Sequence, residues 1–589
     1  MPDKPHAAEW VALGALLFAA VAFSLIRLDM TDTPWHLATA RLAFATGQWP
    51  THNTFSYTYP DYPLNQQYPL YQSLLYVVHS IAKWEGLSIL HGLLWVAVFC
   101  LWVLWGGSLR AGSKLSALWL LGLLGLQRRM ILRPDLMTML LFVLLLHLVD
   151  RYRNGRTWAA GLFVLVQFLM VNSHQLFPLG LGVQGAFLAH LILVRARPGK
   201  CGLSSEDLKA PIWPVVLALA GSVLACFGTP LGAGILDVPA HTMGSLAHHR
   251  EEVQEFAPFY DTGYGTALVM LAAGAAVAGF WRKRRQWEPY EAFLWLMGAA
   301  LVAAASRGLP FFVMLSVGIC ARSFPGRGEA PPLAGAGSRG RWVANVARIA
   351  CVVLTIEASL FVMYKRWVSP PRTLGGTQPG IGLALGDWPG AAIDFIRSHP
   401  PPGRMMNIPW YAANPLIWEL YPAHQVFVDP RFETYPREFL VKAIRSETDQ
   451  GVLEELIAEY QPGWIVAWIS DRRIRQRVAG LMQGGGWALV HADTVFVILV
   501  RDTPEHEDYL AENKISPEDI APRDFLESEP DLLALQQIRM AGFYQDLGLQ
   551  QRAEDMIGKA AYTASRYSAP GEALEDYRKV YFRKVDARE

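Results

Sequence analysis

The sequence predicts a mainly α-helical protein: a polytopic bundle of transmembrane helices, then a soluble α/β domain and a short helical C-terminus. Two observations point there. Of the 589 residues 52% are hydrophobic and only 17% charged, where a soluble chain carries about a quarter charged residues. The deficit is also uneven. Up to residue 367 apolar runs alternate with short basic or Pro/Gly-containing links, and from residue 385 the composition is that of an ordinary soluble protein. With a net charge of +1 and a mean hydropathy of +0.20, no global basic field points to nucleic acid as a partner.

The first apolar run, residues 10–26, lacks a small-x-small cleavage site and is followed by further runs, so it is expected to be an uncleaved first helix. A bilayer core needs about 20 apolar residues per helix. Candidates are 9–27, 86–107, 131–149, 157–172, 176–194, 211–227, 265–281, 289–305, 308–322 and 343–364, with 69–82 and 115–127 marginal, for about eleven spans. Lys and Arg collect at 151–156, 195–197, 282–285 and 322–341, and such clusters face the cytoplasm. The N-terminus is then cytoplasmic. The 28–67 loop, Asn172-Ser173-His174, the 228–262 loop, Ser306-Arg307 and the soluble domain lie outside, and parity requires that one marginal run does not cross. The cysteines, Cys100, Cys201, Cys226, Cys320 and Cys351, form no CxxC pair, which supports neither a zinc site nor a disulfide framework.

The stretch Asp29-Met30-Thr31-Asp32-Thr33-Pro34-Trp35-His36-Leu37 follows the first helix directly. A carboxylate at the membrane surface can take a proton from a hydroxyl or hold a divalent cation. Arg128, Arg129, Arg133 and Arg307 are basic groups able to hold the phosphate of a lipid-linked donor. The same residue types have a plainer use: Asp and Asn cap helices, Trp and His form interfacial belts, and arginines flank spans. Local sequence leaves both open. Asn172 and His174, at an outer helix end, are functional candidates by depth or solvated caps. His248-His249 lacks the H-x-x-x-H spacing of a helical metal site. Asp237, His241, Glu251, Glu252, Glu255 and Asp261 can supply a second acid.

In the tail, strands are expected at 404–408, 425–428, 464–468, 487–490 and 494–500, with helices at 391–398, 436–446, 451–460 and 471–483. That alternation predicts an α/β domain over 385–502. Over 530–589, Leu535, Tyr544, Leu547-Gly548, Ala553 and Ala560 follow the small/large spacing of a tetratricopeptide helix pair. One such pair either docks a protein partner or caps the α/β domain.

This order of a first helix, an acidic outer loop, many spans and a soluble C-terminal domain resembles the GT-C superfamily of membrane glycosyltransferases, which take sugars from polyprenyl-phosphate donors. More narrowly it resembles an uncharacterised bacterial branch whose loop reads D-x-D-x-W-W-H-L, then G, then P-x-x-D-P-F-S-Y-T. Asp32, Trp35, His36, Leu37, Gly47, Pro50 and Phe55-Ser56-Tyr57-Thr58 match it. Arg133-Pro134, Asn172, His174, Glu255-Phe256 and Val428-Asp429-Pro430-Arg431 with Tyr435 match in part. Three carboxylates of that pattern are missing, at Met30, at Asn53 and in Gln66-Gln67-Tyr68-Pro69.

The resemblance implies a GT-C-like membrane domain over 1–367 in a bacterial inner membrane, and transfer of a sugar from a polyprenyl-phosphate donor to an extracytoplasmic glycan, lipid or protein acceptor. Asp32 would be the base and Glu255 a second acid. Arg133, Arg307, His174 and Arg129 would hold the donor phosphate, and Trp35, His36 and Asn172 would orient substrate. Asp429 and Arg431 either make a buried ion pair that orders a loop or contact an acceptor glycan. With so few carboxylates a metal-independent reaction is expected, magnesium or manganese being the alternative. Two other classes stand beside the enzyme: a non-catalytic scaffold or receptor in envelope assembly, and a lipid-glycan transporter, which the lack of an internal repeat disfavours.

Overall fold

The computed structural model describes residues 7–29, 31–64, 67–107, 115–126, 129, 131–196, 210–248, 259–261, 263–284, 288–324, 338–364, 378–522, 524–527 and 529–566. The chain divides into two compact units, Met1–Ile26 with Gln66–Val368, and Arg27–Asn65 with Ser369–Glu589. Residues 27–65, expected within a membrane domain of 1–367, therefore belong to the second unit. In chain order the early helices are α1 (Ala7–Ser24), α2 (Thr33–Thr46, second unit), α3 (Pro69–Trp105), α4 (Ser116–Leu126), α5 (Pro134–Arg153), α6 (Ala159–Val171) and α7 (Pro178–Ala196). They continue as α8 (Trp213–Ala225), α9 (Val238–His248), α10 (Gly263–Arg282), α11 (Pro289–Ala304), α12 (Leu309–Arg322) and α13 (Ser338–Met363).

The first unit is helical because its apolar runs are long, and several of them open with proline. Pro69, Pro134, Pro178 and Pro289 each begin a helix, where proline's fixed φ fits and its missing N–H is not needed. Helix α12 is buried from Leu309 to Ala321 on every face, so it forms the centre of the bundle. A Cβ at Gly279 would lie 2.9 Å from the Cys320 backbone; only glycine lets α10 approach α12 so closely. Trp102 donates to the Met314 carbonyl at 2.8 Å and meets Trp119 edge-on at 5.0 Å.

By length and composition, three helices among the described residues can cross a membrane: Pro69–Trp105, Pro178–Ala196 and Gly265–Arg282. The other apolar helices are shorter, among them Trp10–Ser24, Ser116–Leu126 and Ala159–Val171. The marginal run 69–82 is the first arm of α3, whose backbone leaves helical geometry at Ala82 and Lys83 (φ 52°) before the second arm begins. The marginal run 115–127 is α4, packed against α1, α12 and α13.

Helix α5 joins two charged ends. At its C-terminal end, Arg322 donates to both oxygens of Asp150 (2.7 and 3.1 Å), to Glu291 (3.0 Å) and to the Trp105 carbonyl (3.0 Å). Lys283 donates to both oxygens of Glu291 (2.8 and 3.0 Å), and Arg153 to Glu288 (2.9 Å). Three of the four basic clusters expected on one membrane face thus share one ion network. The opposite end of α5 lies about 30 Å away, at 1.5 Å per residue.

The second unit is built on a four-stranded sheet of β1 (Met405–Ile408), β2 (Trp464–Trp468), β3 (Trp487–Ala492) and β4 (Phe496–Arg501), in the order β1-β2-β4-β3. β1 and β2 are parallel; β4 runs antiparallel to both β2 and β3. Its helices are α14 (Gly390–Ser398), α15 (Ala413–Leu420), α16 (Arg437–Arg445), α17 (Gln450–Tyr460), α18 (Arg472–Gln483), α19 (Glu507–Asn513), α20 (Pro530–Asp546) and α21 (Gln550–Arg566). Sequence signals place several of these. Asp449 caps α17 by accepting from the Gly451 and Val452 N–H groups, and Asp471 caps α18 through Arg473 N–H. In α16, Phe439, Leu440 and Ala443 form the buried stripe.

One expected strand is corrected. Residues 425–428 form no strand of the sheet; they bridge to the early segment, Val426 N–H donating to the Phe55 carbonyl (3.0 Å) and Tyr57 N–H to the Val426 carbonyl (3.2 Å). Helix α15 fills a gap between expected strands, and α19 lies within 502–530, a stretch expected to be a charged linker. α20 and α21 form an antiparallel-type helix pair turning at Gly548 (φ 80°), and Met540, Phe543, Tyr544 and Ala553 join the same apolar core as the sheet. Arg539 pairs with Asp387 (2.6 Å) and Arg475 with Asp546 (2.8 Å), so the pair caps the α/β core. Residues 567–589, the end of the expected helical segment, lie outside the described residues.

Candidate functional site

The residues singled out by sequence fall into two constellations, one in each unit. In the first unit, Arg133 is extended and immediately precedes Pro134, so the helix carries Asp135 and Thr138 in its first turns. Thr138 Oγ1 lies 3.0 Å from Nδ1 of His174, in the turn between α6 and α7. Asn172 ends α6; its amide donates to the Phe168 and Gly228 carbonyls (3.0 and 3.1 Å), and its own carbonyl accepts from Leu70 N–H at 2.8 Å. Asn172 is thereby a brace for the turn that carries His174. The Tyr68 ring stands 6.1 Å from the imidazole.

Two guanidiniums reach this turn. Arg129 lies 3.9 Å from Asp135, with both side chains mostly buried. Arg307 sits in the short turn Ser306–Gly308 between α11 and α12. A Cβ at Gly308 would meet the Leu301 backbone at 2.4 Å, so only glycine lets this turn press onto α11. Burial first, then the charges of Arg307 and Arg129, hold the His174 imidazole well below its ordinary pKa. His174 is therefore neutral at physiological pH. Arg129 and Arg307, far apart in sequence, thus both act electrostatically on a neutral hydrogen-bonding ring; Arg129 and His174 are buried and Arg307 is half-buried. Such a cluster suits a phosphate: charge-assisted donors bind it, and a neutral imidazole adds a hydrogen bond at no charge cost.

In the second unit, Asp32 stands at the N-cap of α2, yet its side chain makes no capping bond to that helix. Trp35 and His36 are 7% and 1% exposed, with ring centroids 3.6 Å apart. They are packing residues on the buried face of α2, which lies against α15. That burial leaves the Trp35 ring no open face for a sugar.

Asp429 and Arg431 are fully buried and answer the choice the sequence left open. Arg431 donates to both oxygens of Asp429 through Nε (2.9 Å) and Nη2 (2.6 Å), and Tyr435 OH donates to Asp429 at 2.8 Å. Arg431 Nη2 also donates to Asn53 Oδ1 (2.7 Å), and Asn53 Nδ2 donates back to the Thr434 carbonyl (3.3 Å). Ser56 and Thr58 hydroxyls both donate to the Phe427 carbonyl at 2.9 Å. The pair thus orders a loop and clamps the Phe55-Ser56-Tyr57-Thr58 motif to the Asp429–Tyr435 segment. It also explains Asn53: the position needs one acceptor and one donor, and an aspartate would offer no donor to Thr434.

The acid beside this clamp was missed. Glu433, in the turn Phe432–Thr434, is only partly buried in surface terms. Its carboxyl is nonetheless held above the usual range by desolvation, with Asp429 and Asp32 adding to the shift and Arg431 opposing it. Asp32 and Glu433 therefore lie within electrostatic range of each other. The alternation Asp429, Arg431, Glu433 was visible as a one-face pattern, but not which member stayed outside the clamp. Glu255, with Glu251 and Glu252, lies outside the described residues, and Asp237 is exposed. Among the described residues, no group of three or more His, Cys, Asp or Glu side chains is placed to hold a metal ion.

No protein-family model matches this sequence, and no curated protein matches it. Solved structures do. The archaeal oligosaccharyltransferase AglB from Archaeoglobus fulgidus, in complex with an inhibitory peptide and a dolichol-phosphate, aligns with TM-score 0.52 at 12% identity, covering 95% of this chain and 86% of that one. The same oligosaccharyltransferase in its apo form aligns at TM-score 0.48 and 12% identity, over 84% of this chain and 75% of that one. The arabinofuranosyltransferase AftD from Mycobacteria aligns at TM-score 0.48 and 16% identity, over 85% of this chain and 42% of that one, so this chain spans under half of AftD. At 12% identity the likeness to AglB shows a shared fold, as the resemblance implies.

Proposed function

From a GT-C-like fold that carries a largely buried basic cluster, we propose that this chain is a membrane glycosyltransferase. It transfers a sugar from a polyprenyl-phosphate-linked donor to an extracytoplasmic glycan, lipid or protein acceptor, in a bacterial inner membrane. The observation that carries this reading is the convergence of Arg129, His174 and Arg307. It is supported by AglB, which shares the fold and was solved with a dolichol-phosphate.

In this proposal Arg129 and Arg307 stabilise the leaving phosphate, on which negative charge grows as the sugar–phosphate bond breaks; placed donors of this kind are the largest single catalytic term in many enzymes. His174, held by Thr138, orients a phosphate oxygen, and Arg133 adds positive charge at the start of α5. A bond forms between the acceptor oxygen and the anomeric carbon, and the acceptor's proton passes to Asp32. Glu433 is the second acid; Glu255 keeps that role only as an expectation from resemblance. Magnesium or manganese is the alternative to a metal-free base; Asp32 and Glu433 would be the carboxylates to hold it, and it would lower the pKa of the acceptor hydroxyl.

The test is turnover of a polyprenyl-phosphate sugar panel by detergent-purified protein, wild type beside Asp32→Asn, each with and without EDTA. The proposal expects turnover in wild type and its loss, by more than 100-fold, in the variant. Loss on chelation would assign the carboxylates to a cation. Binding without turnover in wild type would return the scaffold or receptor reading and overturn the enzyme.

A further inference from the structure

A third cluster lies in the second unit at the carboxyl ends of the parallel pair β1–β2, the place where open sheets with parallel strands gather ligands. The chain leaves β1 through Pro409-Trp410-Tyr411 and leaves β2 through Trp468-Ile469-Ser470-Asp471 into α18. The Tyr411 ring meets Trp468 edge-on at 4.9 Å and Trp410 at 5.0 Å, and all three rings are half-buried. Between α16 and α17, Glu447 is 6% exposed and accepts a hydrogen bond from the Trp410 backbone N–H. Asp471 and Arg473 pair at the rim (2.5 Å), within electrostatic range of Glu447 and Tyr411.

The telling feature is three buried polar atoms on the segments that form this corner. Glu447 Oε1, Trp468 Nε1 and Ser470 Oγ make no hydrogen bond within the protein. Buried polar atoms are nearly always partnered, so each exception asks for a reason. None of the three belongs to the clamp or to the cation cluster described above.

Their chemistry selects the partner. A cation would find acceptors in Glu447 and Asp471 but would leave the Trp468 and Ser470 donors unmatched and face Arg473. An anion would meet those donors but face the Asp471 carboxylate. A sugar ring satisfies the whole set: each hydroxyl both donates and accepts, and its C–H face covers half-exposed aromatic rings. We propose that Trp410, Tyr411, Glu447, Trp468 and Ser470 form a saccharide-binding subsite, distinct from Asp32 and Glu433, that takes a neutral sugar unit of a glycan. The subsite stands on this chemistry alone; only its use as an acceptor-holding site rests on the proposed transferase.

The test is retention of a panel of neutral hexose and pentose oligosaccharides by full-length protein in detergent, with choline and inorganic phosphate as charged probes. Wild type is expected to retain at least one oligosaccharide. Trp468→Phe removes the donor and keeps a ring, and Glu447→Met removes the acceptor at similar volume. Each should weaken retention more than tenfold with an unchanged or higher melting temperature. Asp32→Asn should retain the sugar as wild type does, even with transfer abolished. Failure of wild type to hold any oligosaccharide, equal retention by both subsite variants, preference for choline or phosphate, or loss in Asp32→Asn would each overturn the proposal. Sugar retention with no transfer in any protein would sink the transferase reading and leave the subsite standing.

Discussion

Helix α5 connects two charged regions of different make-up. At its C-terminal end three cations (Arg153, Lys283, Arg322) meet three carboxylates (Asp150, Glu288, Glu291), each paired at 2.7–3.0 Å. At its N-terminal end the charges that act on His174 are both positive, and the carboxylate beside Arg129 is 3.9 Å away. Charge buried in an apolar bundle is costly unless it is paired. The balanced end is therefore architecture, holding α5, α10, α11 and α12 together. The other end holds the two guanidiniums that act on His174, and the proposed function assigns the donor phosphate to it.

The comparison breaks first if the balanced end proves dispensable. Arg322→Ala strands Asp150 without its cation and leaves Glu291 with Lys283 alone. Removing one partner of a buried pair costs about 3–5 kcal/mol, so the variant should melt many degrees below wild type or fail to accumulate. A melting temperature within a degree or two of wild type would refute the structural role.

A smaller effect sharpens the contrast from the soluble unit. Burial pushes the Glu447 carboxyl up to about 7. The folded state then holds a proton that the unfolded chain, with an ordinary carboxyl near 4.5, has already lost. Stability from this group is full below that lower value and is lost as pH rises toward 7, by about 3 kcal/mol in all. Thermal melts should show wild type losing stability between pH 5 and 8 relative to Glu447→Gln; parallel curves would contradict the assignment.

His174 carries the opposite sign. Its folded pKa is depressed by burial, Arg307 and Arg129. The unfolded imidazole takes up a proton near 6.5 while the folded one does not. Stability from this group is present above that pH and is lost on acidification below it. Wild type should fall more steeply than His174→Asn between pH 7 and pH 5, and Arg307→Ala, lacking one repelling charge, should fall less.

Much of this was legible, for identifiable reasons. The strands near 405, 464, 487 and 496 are short, largely apolar runs between turn signals, which local pattern can find. Arg129, His174 and Arg307 stood out because polar charge at a helix end in a membrane is rare enough to be informative. The GT-C resemblance holds at the level of fold. What failed was long-range. Residues 425–428 have the apolar look of a strand, but their partner is Ser56, some 370 positions earlier, and no local pattern announces that bridge. For the same reason residues 27–65 could not be assigned to the second unit. Trp35 and His36 carry the residue types of a substrate platform, and only packing shows them buried. Glu433 was hidden because its neighbours Asp429 and Arg431 drew attention that their closed ion pair does not reward.

The most direct test of the role proposed for Arg129, His174 and Arg307 is binding of polyprenyl phosphate to purified protein, wild type beside the double variant Arg129→Gln, Arg307→Gln. Loss of two charge-assisted contacts, each worth about 1.5–3 kcal/mol, predicts at least a 100-fold weaker affinity, with a melting temperature close to wild type. Equal affinity in the two proteins would contradict the assignment of this cluster to the donor phosphate.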